Sequence, residues 1–549
     1  MKELIFKHAL INAVEHGGKA ELQAVLKRIL AEAPEMKSRI KEIVEEVKRC
    51  VEEVNSLSLE DQKKKLDELG VKIEKKKQEG FKLPELEGAE IGKVVTAFPP
   101  EPSKFPHIGH AKAAYLNFLY AKQYHGKFIL RFEDTNPKMV KKIYYKAIID
   151  GLKWLGIEFD VIDYSSDHME KFYEAVEKLL KEGKAYVCTC KKEEVKRKRA
   201  AGEECEHRKN DAEKNLELWE KMKSEFEEGE ATVRLKIDMK SLNMTLRDPS
   251  IMRIIDCKHP RVGKKYRVWP MYDFATALMD GWEGVTHRLR SKEFEIRKEL
   301  QTIIQKLFNL KPPHIIEFGR LNLEGVLSSG RKIREMIKNK QLTGWDDPRL
   351  TTLIALKKRG FDPEAIKNFI LITGVSKAEG TLSWSMLEAE NRKVIDPKSN
   401  RYMAVLDPVC VRIENAPEIK DVKIPLHPDF PERGLRVVPV NMEKIYLEKK
   451  DYEKYKKEIV GLMYLATVKI DENLSFVSRE IPFEIPKIHW CSEPNLKIKM
   501  VMPNAEVKEV ICEPEIKNVK NGETIQMPRV GFAKVRKRYK DIVLYYTHK

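Results

Sequence analysis

Apolar residues recur along this chain in three rhythms. From Ile40 they fall at Ile40, Ile43, Val44, Val47, Val51 and Val54, mostly three or four apart, with Lys and Glu between them. That spacing lays one apolar stripe on a helix, and residues 1–85 read as helical. A solvated charge run from Gln62 to Lys77 follows, leading into a linker near Gly80–Gly88. The second rhythm alternates strands with helices. Val94–Phe98 reads as a short strand, a Pro-rich loop follows, and Gly109–Tyr124 reads as a helix. Lys127–Phe132 is a second strand, and Lys141–Leu155 a second helix. Such alternation predicts parallel βαβ units. It breaks over Tyr186–Lys265, where cysteines and long charge runs intervene. It resumes with Trp269–Met279, a helix near Ser291–Phe308 and the strand His314–Phe318. Short helices such as Pro348–Lys358 and Asp362–Ile372 fill 335–393. After about Val394 the third rhythm begins. Val/Ile-rich runs (Val405–Ile413, Leu435–Val440, Leu496–Met502, Val530–Arg536, Ile542–Tyr546) alternate with Pro, Gly and Asn, which predicts β-barrels.

The pattern therefore predicts a multidomain α/β chain with six segments. These are a helical extension (1–88), the first half of a Rossmann-type nucleotide-binding domain (89–185), an inserted domain (186–265), the second half (266–334), a helical segment (335–393) and C-terminal all-β barrels (394–549). A length of 549 residues fits that division. No fixed-period repeat interrupts it. A hydrophobic fraction of 42% beside 34% charged residues excludes wholesale disorder. No run approaches the roughly 18 apolar residues of a membrane span. The N-terminal apolar stretch carries Lys7, His8 and Glu15, which argues against a signal peptide. Eight cysteines are too few for a disulfide scaffold, so the expected compartment is the reducing cytoplasm. Lys+Arg exceeds Asp+Glu by 103 − 86 = 17. That excess suits a polyanionic partner, although a Lys/Glu-rich thermophile composition gives a similar balance.

The chemistry concentrates where a strand meets a helix. Phe98 is followed by Pro-Pro-Glu-Pro-Ser-Lys-Phe-Pro and then His107-Ile108-Gly109-His110. The three-residue spacing puts His107 and His110 on one helix face. A helix N-terminus offers free N–H groups and a positive dipole end, which suit phosphate. Gly109 leaves room for a flat group to approach the backbone. In the predicted insertion, Cys188-Thr-Cys190 is followed after 14 residues by Cys205-Glu-His207. Three thiolates and an imidazole would make a closed, structural Zn2+ site that folds a charge-rich segment. Cys50, Cys257, Cys410, Cys491 and Cys512 lie outside any such cluster.

The His-Ile-Gly-His segment with its Pro-Pro-Glu-Pro-Ser approach resembles the signature of class I aminoacyl-tRNA synthetases of the glutamyl/glutaminyl subclass. Leu130-Arg-Phe-Glu133-Asp134-Thr-Asn-Pro, Trp269-Pro-Met-Tyr272-Asp273-Phe, Glu283-Gly-Val-Thr-His287 and Gly344-Trp-Asp-Asp-Pro-Arg349-Leu resemble the same family, in the same order. The similarity runs over about 90–549. Ala9–Ala20 resembles the N-terminal extension of the archaeal type, and similar archaeal enzymes share the CxC…CxH pattern. The whole resembles archaeal-type glutamyl-tRNA synthetases.

The resemblance implies that L-glutamate and ATP give glutamyl-adenylate and diphosphate, and that the acyl group passes to the 3′ end of tRNA(Glu). Mg2+ is implied on the phosphates. It gives His107 and His110 the transition-state phosphate, while Lys332, one of two adjacent cations on a Gly loop, is expected to reach the pyrophosphate as a catalytic residue. Gly109, Arg320, Ser329 and Arg331 complete the implied ATP site. Glu133 is the expected α-ammonium contact and Tyr272 a pocket tyrosine. Arg290 is the expected partner of the side-chain carboxylate, in a fork. Glutamine would leave that guanidinium unpaired, at a cost on the order of a few kcal/mol.

Two departures stand out. Ala97 occupies a position where the family has arginine, which should cost affinity unless another base such as Arg288 substitutes. In Val326-Leu-Ser-Ser329-Gly330-Arg331-Lys332, Ser329 falls on the second lysine of the family's Lys-Met-Ser-Lys-Ser loop. Three readings therefore remain: a glutamyl enzyme, a glutaminyl enzyme, and a tRNA-binding paralogue with impaired catalysis. The basic run Lys191–Arg199 is expected at the acceptor stem, and Trp345–Arg349 under the inner corner of the tRNA. The C-terminal barrels are expected to read the anticodon, with Tyr402, Trp490, Phe532 and Arg536 as candidates. Whether tRNA(Gln) is also charged is left open, and a monomer is the default.

Overall fold

The structure of the protein, a computed structural model, describes residues 2–15, 18–20, 22–32, 40–69, 83–327, 329–539 and 541–549. Two compact units divide the chain, Met1–Lys82 and Leu83–Lys549. In the first, α1 (Lys2–Glu15), α2 (Leu22–Glu32), α3 (Ile40–Asn55) and α4 (Leu59–Glu68) bury Ile5, Ala9, Val25, Ile29, Val47 and Val54 against one another. The stripe on α3 is part of that core. Two residues of the expected solvated run, Gln62 and Leu66, are instead buried on α4. Gln62 donates to the carbonyls of Gly18 (2.9 Å) and Val54 (2.8 Å), so its amide nitrogen is satisfied inside. Residues 70–82, which hold the rest of that run and the start of the expected linker, lie outside the described residues.

The second unit opens with β1 (Val95–Phe98), α5 (Ile108–Gln123), β2 (Lys127–Phe132), α6 (Lys142–Trp154) and β3 (Val161–Tyr164). After α7 (Met169–Lys181) the alternation stops. β4 (Ala185–Cys188) gives way to α8 (Lys192–Ala201) and α9 (Ala212–Ser224), then to β5 (Thr232–Leu235), β6 (Ser250–Ile254) and β7 (Val268–Pro270). These four strands pair in antiparallel sequence order. Trp269, where the alternation seemed to resume, lies in β7 of this sheet. The parallel sheet resumes after α10 (Tyr272–Trp282) with β8 (His287–Ser291), α11 (Lys298–Leu307) and β9 (His314–Phe318). Its order is β3-β2-β1-β8-β9, all parallel.

The strand order reverses between β1 and β8, and such a switch point opens a crevice at the carboxyl ends of the strands. Only Thr96 and His287 bridge β1 to β8. Asn117 of α5 helps to hold the two strands. Its amide nitrogen donates to the Leu289 carbonyl (2.8 Å), its amide oxygen accepts from Leu289 N–H (3.2 Å), and its own carbonyl accepts from the Thr96 hydroxyl (2.8 Å). Apolar residues of α5, β1 and β2, among them Leu116, Tyr120, Phe128 and Leu130, fill one main core.

Past α12 (Gly330–Lys338) come three helices, Leu353–Arg359, Pro363–Thr373 and Trp384–Ile395. The rest is almost wholly β. One sheet of six strands and one of five enclose separate cores, the first around Val510 and Leu544, the second around Val460 and Leu474. In Leu496–Val501 the alternation is plain: Ile498 and Met500 are buried while Lys497 and Lys499 are exposed. Three of the candidate anticodon readers, Tyr402, Trp490 and Phe532, are buried core residues, and the Trp490 indole donates to the Met463 carbonyl at 2.8 Å. Arg536 is half-buried. Among the described residues no helix is long and apolar enough to cross a membrane.

Candidate active site

The crevice has two chemically different ends. At the first, His107 is the N-cap of α5 rather than its first turn, with extended backbone (φ −121°, ψ 176°). Its Nδ1 accepts from Gly109 N–H (3.1 Å), while Nδ1 of His110 accepts from the His107 N–H (3.2 Å). This is a capping box built from two imidazoles. With both Nδ1 atoms accepting, the hydrogen-bond network assigns the proton to Nε2 of each ring. The ring centroids lie 4.0 Å apart. Burial, and next the nearby Lys104 ammonium, push His107 down to about 3. Burial, then His107 and Lys104, hold His110 well below the usual imidazole range. Both rings are therefore neutral near pH 7 and present N–H donors. Gly109 serves this geometry, because a Cβ there would sit 2.9 Å from His107 Cε1.

The start of α12 packs against the same Pro-rich approach. A Cβ on Gly330 would meet Lys104 Cδ at 2.8 Å, and Arg334 donates to the Ser103 carbonyl at 2.7 Å. Ser329 caps α12 by accepting from Lys332 N–H (3.4 Å). Arg331 and Lys332 are exposed just beyond it. Ser328 lies outside the described residues. Sequence reasoning passed over Lys104, which burial and Arg334 push down. Arg320 is paired with Glu293.

The second end is a buried polar layer between the sheet and α10. Tyr272, Thr276 and Asp280 recur every four residues on α10, with Glu283 next on that stripe. Arg131 and Glu133 alternate along β2 and its end, and Arg288 and Arg290 along β8. Arg131 Nη2 donates to Glu133 (3.2 Å), Asp280 (2.8 Å) and Thr276 (3.2 Å), and Nη1 to Glu283 (2.5 Å). Arg288 Nη1 donates to Thr276 (3.1 Å) and to Asp280. Thr276 in turn donates to Glu133. Burial raises Glu133, and Arg131 and Arg288 act against that rise. Burial likewise lifts Glu283 to about 7, against Arg131. Burial, then the Glu133 charge, push Tyr272 up to about 12.

Arg290 is held differently. Its Nη1 donates to Gln301 (2.7 Å) and its Nη2 to the Phe294 carbonyl (3.1 Å), with Glu317 at 3.6 Å. Gln301 passes the anchor to Asp273 (3.0 Å). Asp134 accepts from Tyr145 (2.7 Å) and twice from Ser166 (2.8 Å each), so it ties loops together. Arg131, Thr276, Asp280 and Glu283 were not among the site residues read from the sequence. The signal was present as polar residues at four-residue spacing in an otherwise apolar helix, facing polar residues at two-residue spacing on buried strands.

Outside the crevice, the end of β4 and the short 3-10 helix Glu206–Lys209 gather Cys188, Cys190, Cys205 and His207. Sγ of Cys205 lies 3.6 Å from Cys188, 3.4 Å from Cys190 and 3.2 Å from His207 Nδ1. His207 Nε2 contacts the Thr189 hydroxyl (2.9 Å), which fixes the ring with Nδ1 toward the sulfurs. All four donor atoms lie within 4.8 Å of one another.

Comparison with known proteins shows the family. The family model "tRNA synthetases class I (E and Q), catalytic domain" matches 93–397, and the corresponding anticodon-binding model matches 399–484. Glutamate–tRNA ligases of Pyrococcus furiosus and Pyrococcus abyssi are 43% and 44% identical, over the whole of both chains. That of Nitrosopumilus maritimus is 42% identical over all of this chain and 99% of its own. The chain belongs to the class I tRNA synthetases of the glutamate and glutamine branch.

Proposed function

We propose that the protein is a glutamate–tRNA ligase. The observation that carries this reading is full-length identity of 43–44% to glutamate–tRNA ligases, joined to a crevice with imidazole donors at one end and buried guanidinium groups at the other. ATP enters as its magnesium complex. The glutamate α-carboxylate attacks the α-phosphorus, and the bond to pyrophosphate breaks. A hydroxyl of the terminal tRNA ribose then attacks the adenylate carbonyl and AMP leaves.

The two Nε2–H groups of His107 and His110 suit the oxygens of the pentacoordinate α-phosphate, where donors fixed in advance act most strongly. Being neutral, they act as hydrogen-bond donors rather than as acids. Lys332 and Arg331, free at the start of α12, suit the departing pyrophosphate. Glu133 suits the α-ammonium, and Arg290 with Tyr272 the side-chain end. The β4–β7 insertion, with its Lys191–Arg199 run, suits the acceptor stem, and the C-terminal barrels suit the anticodon. The enzyme is read as a cytoplasmic monomer.

Cys188, Cys190, Cys205 and His207 would hold Zn2+. Their separations approach the edges of a tetrahedron with Zn–S about 2.3 Å and Zn–N about 2.0 Å. The ion would staple β4 to the segment after α8. Purified protein should carry one Zn2+ per chain by elemental analysis, lost in C188S/C205S with a lowered melting temperature. A metal-free, fully stable wild type would exclude it.

Charging of separate tRNA(Glu) and tRNA(Gln) transcripts with labelled glutamate or glutamine tests the whole reading. Glutamyl-tRNA(Glu) is expected. Glutamate on tRNA(Gln) as well would widen the tRNA range, glutamine as product would make it a glutaminyl enzyme, and no product despite tRNA binding would make it an impaired paralogue.

A further inference from the structure

A buried cluster in the C-terminal region takes no part in the proposed reaction. Glu448 closes the strand Ile445–Glu448, and Asp451 follows three residues later, in the first turn of the short helix Lys449–Lys454. His489 lies between the strands Lys487–Ile488 and Cys491–Ser492. The second of these runs antiparallel to Ile445–Glu448, with Ile445 opposite Ser492 and Tyr446 opposite Cys491. Two residues further on, the same register sets Glu448 opposite His489.

All three side chains are buried: His489 is 0% exposed, Asp451 3% and Glu448 5%. Each carboxylate gives one oxygen to a cation. Glu448 Oε1 lies 2.7 Å from Lys450 Nζ, and Asp451 Oδ1 accepts from Arg529 Nη2 (2.7 Å). Arg529 is itself held, donating through Nη1 to the Lys487 carbonyl (2.7 Å). The other two oxygens, Glu448 Oε2 and Asp451 Oδ2, have no hydrogen-bond partner among the described residues, and neither has Nδ1 or Nε2 of His489. These four atoms lie together. Nε2 is 3.3 Å from Oε2, and Nδ1 is 4.0 Å from Oδ2. One donor atom from each residue lies within 4.8 Å of the other two.

A neutral imidazole carries one proton, so one nitrogen lone pair here faces carboxylate oxygen. No hydrogen bond joins two acceptors, and buried polar atoms are rarely left without partners. A cation shared by that lone pair and the two free oxygens removes the conflict. The donor set selects the cation. One nitrogen with two carboxylate oxygens suits Zn2+ better than Ca2+, which takes a shell of oxygens, or copper(I), which prefers sulfur. The 3.3 Å separation is close to the edge of a tetrahedron with Zn–N and Zn–O bonds of about 2.0–2.2 Å. Lys450 and Arg529 then serve as the outer partners that aim ligating carboxylates.

We infer that Glu448, Asp451 and His489 form a zinc site separate from the cysteine cluster, with three protein ligands and a fourth position for water. It fastens the chain where it passes from the five-stranded sheet, through Lys487–Ile488, to a three-stranded one, through Cys491–Ser492. Ligands without a thiolate hold zinc less tightly than three thiolates and an imidazole, so this site fills from added metal rather than being carried through purification.

The test is calorimetric titration of the purified full-length protein with Zn2+, comparing wild type, E448Q and H489Q. Wild type is expected to take up one more Zn2+ per chain than H489Q, and E448Q to bind that ion on the order of 10-fold or more weakly. The comparison with H489Q keeps this ion apart from one bound at the cysteines, and its result leaves the ligase reading untouched. Equal uptake by wild type and H489Q, or unchanged affinity in E448Q, overturns the inference; the first result would make His489 an imidazolium between two carboxylates. Should the variants not fold, wild-type crystals grown with Zn2+ and measured on both sides of the zinc absorption edge decide. An anomalous peak is expected beside His489 and Glu448, and no peak there overturns the inference.

Discussion

The two ends of the crevice are organised on different length scales. At the histidine end, four consecutive residues satisfy one another: His107 caps Gly109, His110 answers the His107 N–H, and Gly109 makes room for the ring. At the buried polar end, Arg131 is held by residues 145–152 positions away in sequence, on the far side of an inserted antiparallel sheet. The first end is local backbone chemistry. The second exists only once β2, β8 and α10 have met. Damage at the first should therefore appear in rate, and damage at the second in stability.

The largest effect is expected from Arg131→Met. It leaves Glu133, Asp280 and Glu283 buried without their common cation, and breaking such a network costs on the order of 3–5 kcal/mol. Chemical denaturation should show it as a lowered midpoint; a variant as stable as wild type would mean the network is dispensable. Next comes His110→Ala, expected to cut the rate of ATP–pyrophosphate exchange by about 10²–10³ while the protein stays folded, as for loss of one fixed donor. A stability loss with little change in rate would reverse the comparison.

Protonation touches the histidine end in a smaller way. Both imidazoles are held below their unfolded value near 6.5, His107 at about 3. In that window the unfolded chain binds more protons, so stability is complete above about pH 6.5 and falls as pH drops toward 3. With partial exposure discounted, about 1–2 kcal/mol should be lost by pH 5, and that slope should shrink in H107N/H110N. An unchanged slope would assign it to other groups. The smallest effect is expected from Gly109→Ala, where the added Cβ crowds His107 Cε1 at 2.9 Å. Exchange should slow about tenfold, while Ala's helix preference keeps stability within about 1 kcal/mol. A rate equal to wild type would show that the ring tolerates displacement.

The same difference of scale explains what could be read from the chain. His107, Gly109 and His110 announce themselves as a short motif, and β1, α5 and β2 follow from local periodicity. β8 does not, because His-Arg-Leu-Arg-Ser carries one apolar residue and is buried by pairing charges rather than by hydrophobicity. Glu133, Tyr272 and Arg290 became visible through resemblance, but their partners needed the sheet order. Gly109 and Arg320 each have a neighbour that the sequence did not show, the His107 ring and Glu293. Tyr402, Trp490 and Phe532 show the limit of reading aromatics as ligands, since the barrels use them as core.

The most direct test of the account is the ratio of kcat/KM for glutamate over glutamine in tRNA-dependent ATP–pyrophosphate exchange. A pocket that leaves a buried guanidinium unpaired with the amide should favour glutamate by about 10³ or more. Equal use of the two amino acids, or a preference for glutamine, would contradict it.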